Sequence, residues 1–212
     1  MEFLYNENKC PEEDLLFEAR IMEEMEKPFF FCYTWNIPTL ILGFGQKKEE
    51  LNYKFCIEKK IKIVKRNSGG KAIFHYKDLS ISLMLPSQNI YAKSLIKFYD
   101  FFIENFQAFL KLNNFETKRT EKNEENKTNT FCLFNHNGLS LSYKNKVFCG
   151  FAQIRKSKNC LVHCFISLNE SYDFLKEIFS INKNKLMNEI GSISISDKKE
   201  FSYNFYNFLM TK

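Results

Sequence analysis

Between Lys65 and His75 the chain reads KRNSGGKAIFH, a strand that runs into two adjacent glycines and starts again at once. Paired glycines let a backbone approach a ligand closely and turn N–H donors toward an anion. Arg66, just before the pair, adds a fixed charge and forked donors that suit phosphate or carboxylate. A plain hairpin turn would have the same pattern. The stretch holds neither G-x-x-x-x-G-K-[ST] nor G-x-G-x-x-G, which disfavours Walker-type kinases and Rossmann enzymes. The nucleophile candidates are seven cysteines, Cys10, Cys32, Cys56, Cys132, Cys149, Cys160 and Cys164. They form no C-x-x-C pair and their number is odd, so neither a zinc site nor a disulfide framework is expected, and a reduced cytoplasm is the natural setting. The ordinary role of each is a small buried apolar residue.

The elements that must carry these residues follow from periodicity. Helices are predicted over 11–26, 48–60, 93–112, 171–179 and 198–210, the clearest being 93–112 with its stripe of Leu95, Phe98, Phe102, Phe106 and Phe109. Strands are predicted over 29–35, 39–43, 61–65, 72–75, 79–85, 131–134, 139–143, 146–154 and 160–168, with 72–75 and 79–85 as an antiparallel pair. The polar run 116–129 is an exposed loop. This order gives a mixed α/β (α+β) fold, a central mixed β-sheet flanked by helices. The 212 residues are read as one catalytic domain, with a motif-bearing core over 11–168 and a helical tail over 169–212.

With 31 basic and 25 acidic side chains the net charge of +6 is mild, short of the dense stripe of a nucleic-acid binder, and favours acidic partners only weakly. No stretch approaches the roughly 18 apolar residues of a membrane span, and the first residues lack the pattern of a signal peptide.

The string RNSGGKAIFHYKDLSIS resembles the R-R-x-[ST]-G-G-[GR]-A-[VI]-x-H signature of the lipoate–protein ligase and octanoyltransferase family, relatives of the biotin ligases. Three further blocks agree in order: Tyr33-Thr34-Trp35-Asn36-Ile37-Pro38-Thr39 with Leu42-Gly43-Phe44-Gly45-Gln46, then Gly150-Phe151-Ala152-Gln153, then Leu161-Val162-His163. The resemblance spans roughly residues 11–168. It implies a biotin/lipoate-ligase-like catalytic domain whose cleft holds a lipoyl, octanoyl or acyl-adenylate group. It also implies acyl transfer to a lysine of an acidic lipoyl domain or of the glycine-cleavage H protein. Octanoyl-carrier protein is a possible donor, with no tightly bound cofactor, no metal, no nucleic acid and no membrane.

Within this family, ligases activate lipoate with ATP and Mg, whereas one branch of octanoyltransferases holds the acyl chain as a thioester on Cys. Cys132, 18 positions before Gly150, resembles the nucleophile of that branch. A thiolate is strongly nucleophilic, and its thioester stays reactive towards amines. Lys71, where the transferase branch has Arg, and Asp78-Leu79-Ser80-Ile81-Ser82, which lacks the Gly-Asn of ligases, lean the same way. The resemblance assigns the acyl group to Arg66, Ser68, Gly69, Gly70, Lys71, Ala72, His75, Gly150, Ala152 and His163. His75 and His163 either line the cleft or are structural histidines. His136, four after Cys132, is a base or a solvated loop residue.

One position departs. The family's Lys three residues before the Gly of G-S-A is Val147 here, and Lys146 is its neighbour. Neighbours on a regular strand point to opposite faces, so the expectation is that a bulge at Phe148-Cys149 recruits Lys146 as the catalytic cation. The alternatives are an ATP-dependent ligase working through lipoyl-AMP and a silent acyl- or lipoyl-domain-binding homologue.

Overall fold

Alternating apolar residues that are buried on both faces build the centre of the structure, a computed structural model that describes residues 1–7, 10–66, 69–121, 130–134 and 138–212. The strands are β1 (Glu2–Glu7), β2 (Phe29–Thr34), β3 (Thr39–Leu42), β4 (Lys62–Lys65), β5 (Ile73–His75), β6 (Leu79–Pro86), β7 (Thr117–Arg119), β8 (Ser140–Tyr143), β9 (Lys146–Arg155) and β10 (Asn159–Ile166). The helices are α1 (Pro11–Glu24), α2 (Tyr53–Glu58), α3 (Leu95–Leu112), α4 (Tyr172–Phe179), α5 (Lys183–Glu189) and α6 (Lys198–Met210). A seven-stranded sheet runs in the order β1-β2-β6-β10-β9-β8-β7, and a three-stranded sheet runs β4-β3-β5. Among the strand ladders of the described residues, β1–β2 and β3–β4 pair in parallel and the others antiparallel, so the architecture is the mixed one expected.

One face of the large sheet presents Phe30, Cys32, Ile81, Leu83, Val162 and Cys164 to α3 and α6. Ser94 caps α3 by accepting from the Lys97 amide at 3.0 Å, and Phe98, Phe102 and Phe106 lie fully buried on that face. Burying each of these rings contributes about 1.5–3 kcal/mol. The opposite face presents Phe31, Tyr33, Met84 and Leu161, which pack with Met22 of α1 and with Ile41 and Ile73 of the small sheet. The cleft lies between these layers.

Three expectations are corrected. Residues 72–75 and 79–85 do not pair: β5 joins β3 in the small sheet and β6 lies inside the large one. The turn between them steps from sheet to sheet, with Lys77 at φ 57° and the Asp78 carboxylate accepting from the Tyr76 amide at 3.1 Å. Residues 131–134 are not a strand: Phe131 makes a single bridge to Ala72, and Cys132–Phe134 then close a 3-10 turn. β1, β7 and α5 were not expected: β1 is mostly part-exposed, and β7 (Thr117–Arg119) is a polar strand that takes up the start of the run 116–129 expected as a loop, of which 122–129 lie outside the described residues. The helices after residue 168 are built into the core, since Phe205 of α6 and Ile178 of α4 are fully buried.

Candidate active site

The glycine pair sits where β3 and β4 end. A Cβ at Gly43 would stand 1.9 Å from the Gly70 carbonyl oxygen, so the L-G-F-G-Q block and the glycine turn fit only because Gly43 has no side chain. Gly70 has φ +97°, a left-handed conformation that favours glycine. Arg66 is buried and spans the turn, with Nη2 donating to the carbonyls of Gly69 at 3.0 Å and Lys71 at 3.2 Å. Its Nε has no hydrogen-bond partner among the described residues. A buried guanidinium that lines the cleft and has an unused donor is suited to an incoming carbonyl or anion. Ser68 and His136 lie outside the described residues.

Cys132 is tied to this turn through the backbone. Its amide donates to the Ala72 carbonyl at 2.8 Å, and the Ala72 amide donates to Thr130 at 3.1 Å. Gly150 makes room beneath: a Cβ there would stand 3.1 Å from Leu133 Cδ2, so the missing side chain lets the 3-10 turn settle on β9. Cys32, Cys56, Cys149, Cys160 and Cys164 are buried, and burial pushes the thiols of Cys32, Cys56, Cys149 and Cys160 up. Cys10 and Cys132 are partly exposed, and of the two Cys132 faces the cleft.

Two cavities meet at Cys132 and share Arg66, Gly150 and Ala152. The larger, about 690 Å³, also holds Gly69, Gly70 and Lys71 on one wall and Tyr99, Gln46 and Gln153 on others. The smaller, about 30 Å³, runs behind the thiol to His75 and His163. A third cavity of about 240 Å³, walled by Leu15, Ala19, Met22, Val64 and Ile154, begins on the far side of Arg66. The structure thus gathers Arg66, Gly69, Gly70, Lys71, Cys132, His75, Gly150, Ala152 and His163 around one cleft, with Ala72 buried behind Cys132.

Lys146 is not among them. The pairing of β8 with β9 shifts after Leu141–Cys149, so that Ser142 faces Val147 and Phe148 is the extra residue. The bulge is where it was expected, with the opposite consequence. Phe148 and Cys149 both turn toward α3, and Val147 packs with Phe131, Leu133 and Phe134 on the opposite face of the sheet. On a regular strand Lys146 would share the face of Gly150; the inserted residue transfers that place to Val147. The Lys146 stem lies against Gly191, where its Cβ would stand 2.8 Å from a glycine Cβ, and it lines neither Cys132 cavity.

The sequence reading overlooked two acids. Asp14 and Glu18, one turn apart on α1, are buried. Asp14 accepts from Trp35 Nε1 at 2.8 Å and from Asn6 Nδ2 at 2.7 Å, holding Trp35 against His75 with ring centroids 5.0 Å apart. Glu18 accepts from Ser82 Oγ and stands 3.8 Å from His163 Nδ1. His75 faces Asp78 at 3.2 Å through Nδ1. Tyr99 also escaped notice; it lines the larger cavity, and burial pushes its phenol up to about 12. The available signal was the spacing of Asp14, Glu18 and Met22, which puts two acids in phase with the apolar stripe.

A large mixed sheet packed against helices and a small second sheet is the arrangement seen in solved lipoate–protein ligases. The bi-partite lipoate protein ligase from Thermoplasma acidophilum, solved with its E2 lipoyl domain, superposes with a TM-score of 0.80 at 15% identity, covering 99% of this chain and 82% of that one. A lipoate-protein ligase A bound with ATP gives 0.81 at 17%, over 99% and 85%. Residues 10–199 match the lipoyl protein ligase A/B catalytic domain, and the chain belongs to that family. Among its relatives are two proteins named octanoyltransferase LipM. The one from Clostridioides difficile is 29% identical over 164 residues, 75% of this chain and 59% of that protein. The one from Carboxydothermus hydrogenoformans is 26% identical over 192 residues, 90% and 70%. The chain therefore spans about three fifths of the length of the first of these relatives.

Proposed function

We propose that this protein is an acyltransferase that moves an octanoyl or lipoyl group onto a lysine of a lipoyl domain, or of a glycine-cleavage H protein, through a thioester on Cys132. The observation that carries this reading is the position of Cys132: a partly exposed thiol, fixed to the glycine turn, at the meeting point of two cavities that both contain Arg66. The naming of the relatives as octanoyltransferases supports the same chemistry. Arg66 Nε and the turn amides suit the acyl carbonyl, and the cavity beyond Arg66, which has an apolar wall of Leu15, Ala19, Met22, Val64 and Ile154 rimmed by Glu12, Glu18, Lys65 and Lys156, offers room for the hydrocarbon chain. Octanoyl-carrier protein is the donor in this reading, and no tightly held cofactor is required. The acceptor is an acidic domain, matched to the basic balance of the chain. Among the described residues no helix is long and apolar enough to cross a membrane.

The test is intact-mass spectrometry after incubation with octanoyl-carrier protein. A gain of one octanoyl group, absent in Cys132→Ala, is expected. Octanoate plus ATP and Mg modifying the acceptor without a Cys132 adduct would instead establish the ligase chemistry, and no transfer under either condition would establish a silent homologue.

A further inference from the structure

The resemblance assigns His163 to the acyl group; the structure adds a buried acid, Glu18, facing its ring. His163 is 9% exposed, lines the small cavity behind Cys132, and its Nε2 has no hydrogen-bond partner among the described residues. A buried ring nitrogen left without a partner in the cavity that also reaches Cys132 calls for an explanation, because buried polar atoms are nearly always satisfied. The other ring nitrogen points to Glu18, itself buried and held by Ser82. A carboxylate beside Nδ1 favours the tautomer with its proton there, leaving the Nε2 lone pair directed away from the acid. The 3.8 Å separation is long for a hydrogen bond, as is common in unliganded sites that tighten on binding. At the position where the resemblance calls for a lysine stands Val147, buried among Phe131, Leu133 and Phe134.

We propose that His163 is the base for acyl transfer at Cys132 and that Glu18 is its positioning residue. This rests on the reading of Cys132 as the nucleophile. In the loading step the Cys132 proton passes to His163 Nε2 as sulfur bonds to the acyl carbon of a thioester donor. The donor C–S bond then breaks, and its thiolate takes the proton back. In the discharge step a neutral lysine amine bonds to the same carbon, the Cys132 C–S bond breaks, and the amine proton reaches the Cys132 sulfur through Nε2. Neither step consumes an oxidant, reductant or metal. His75 shares the cavity and also has a carboxylate at Nδ1, but its ring is wedged between Trp35 and Phe165, centroids 5.0 and 4.8 Å away. It is the control.

The experiment follows octanoyl loading from a small-molecule octanoyl thioester and alkylation by iodoacetamide, both read by mass at Cys132 from pH 6 to 10. The charged and titratable groups around His163 are Glu18 from α1, Tyr33 from β2, Arg66 after β4, His75 from β5, and Cys132 itself. His163→Gln is expected to slow loading about 10²–10³-fold at pH 7, with the deficit closing as bulk base takes over at high pH. His163→Gly should recover with added imidazole, a rescue that a structural role would not give. Glu18→Gln, which keeps the contact with Ser82, should give a smaller loss of the same pH form, and His75→Gln should not give that form. If wild type shows no octanoyl on Cys132, the nucleophile assignment itself fails. If wild type loads and both His163 variants load at its rate across the pH range, the base assignment is overturned. Should the His163 variants not fold, an unchanged pH profile in Glu18→Gln overturns it equally.

Discussion

Gly43 and Gly70 share a space that admits no side chain: an added Cβ at Gly43 would lie 1.9 Å from the Gly70 carbonyl oxygen and 2.8 Å from its carbon. Two glycines 27 positions apart in the sequence thus belong to a single structural unit, and Arg66 closes it by bonding the carbonyls of Gly69 and Lys71. Because the obstruction is backbone, it cannot rotate away. Gly43→Ala should cost about 1–3 kcal/mol in denaturant unfolding and strongly reduce octanoyl loading. Gly70→Val should abolish loading in a protein that still folds, since the left-handed turn disfavours a β-branched residue. Unchanged loading in both would reduce the unit to an ordinary turn.

Gly150 tests the seat of Cys132. Its added Cβ would meet Leu133 Cδ2 at 3.1 Å, a side-chain atom that can yield by a few tenths of an ångström. Gly150→Ala should therefore change stability by less than about 1 kcal/mol while shifting the 3-10 turn. Thermal unfolding and the iodoacetamide rate of Cys132 separate the two effects; a normal melt with an altered rate is expected.

The bulge at Phe148 leads to a paired prediction. Lys146→Ala should leave loading within about twofold, because the ammonium is outside both cavities of Cys132. Val147→Lys places a charge among Phe131, Leu133 and Ile190 and should destabilise by about 1–3 kcal/mol. A hundredfold loss in Lys146→Ala would show that the lysine reaches the thiol during turnover, contrary to its packing on Gly191.

α1, which carries Glu18, is clamped to β4 by Lys62. Its ammonium stands 2.6 Å from Glu12 and donates to Cys10 Sγ at 3.0 Å. Partial burial works to raise the Glu12 carboxyl, but the hydrogen bonds from Cys10 and Lys62 outweigh it and hold the group below its usual 4.5. A folded-state value below the unfolded one gives stability that is present above pH 4.5 and lost as pH falls through the lowered value. Both side chains are part-exposed, so the contribution is at most about 1 kcal/mol. Urea midpoints of wild type and Glu12→Gln should differ at pH 7 and converge near pH 3; a difference that persists in acid would place the effect in packing instead.

Composition and periodicity were enough for the mixed fold, for α3 and for β2, β6 and β10, because long runs buried on one or both faces repeat often enough to be read locally. The resemblance blocks were enough to bring Arg66, the glycine pair, Cys132, Gly150 and His163 to one cleft. Three things were settled only by tertiary contacts. β5 and β6 belong to different sheets because strand partnership depends on hydrogen bonds between distant segments, not on the apolar pattern of either strand. Residues 131–134 coil rather than extend because Gly150 offers a bare seat on β9 and Ala72 an amide–carbonyl pair. The inserted residue at Phe148 reverses which of Lys146 and Val147 shares the face of Gly150, since a one-residue shift exchanges the two faces of a strand. Glu18 looked like one more acid on an acidic helix. Its place behind His163 exists only once α1 lies across the large sheet, which brings residues 18, 82 and 163 into one buried chain of contacts.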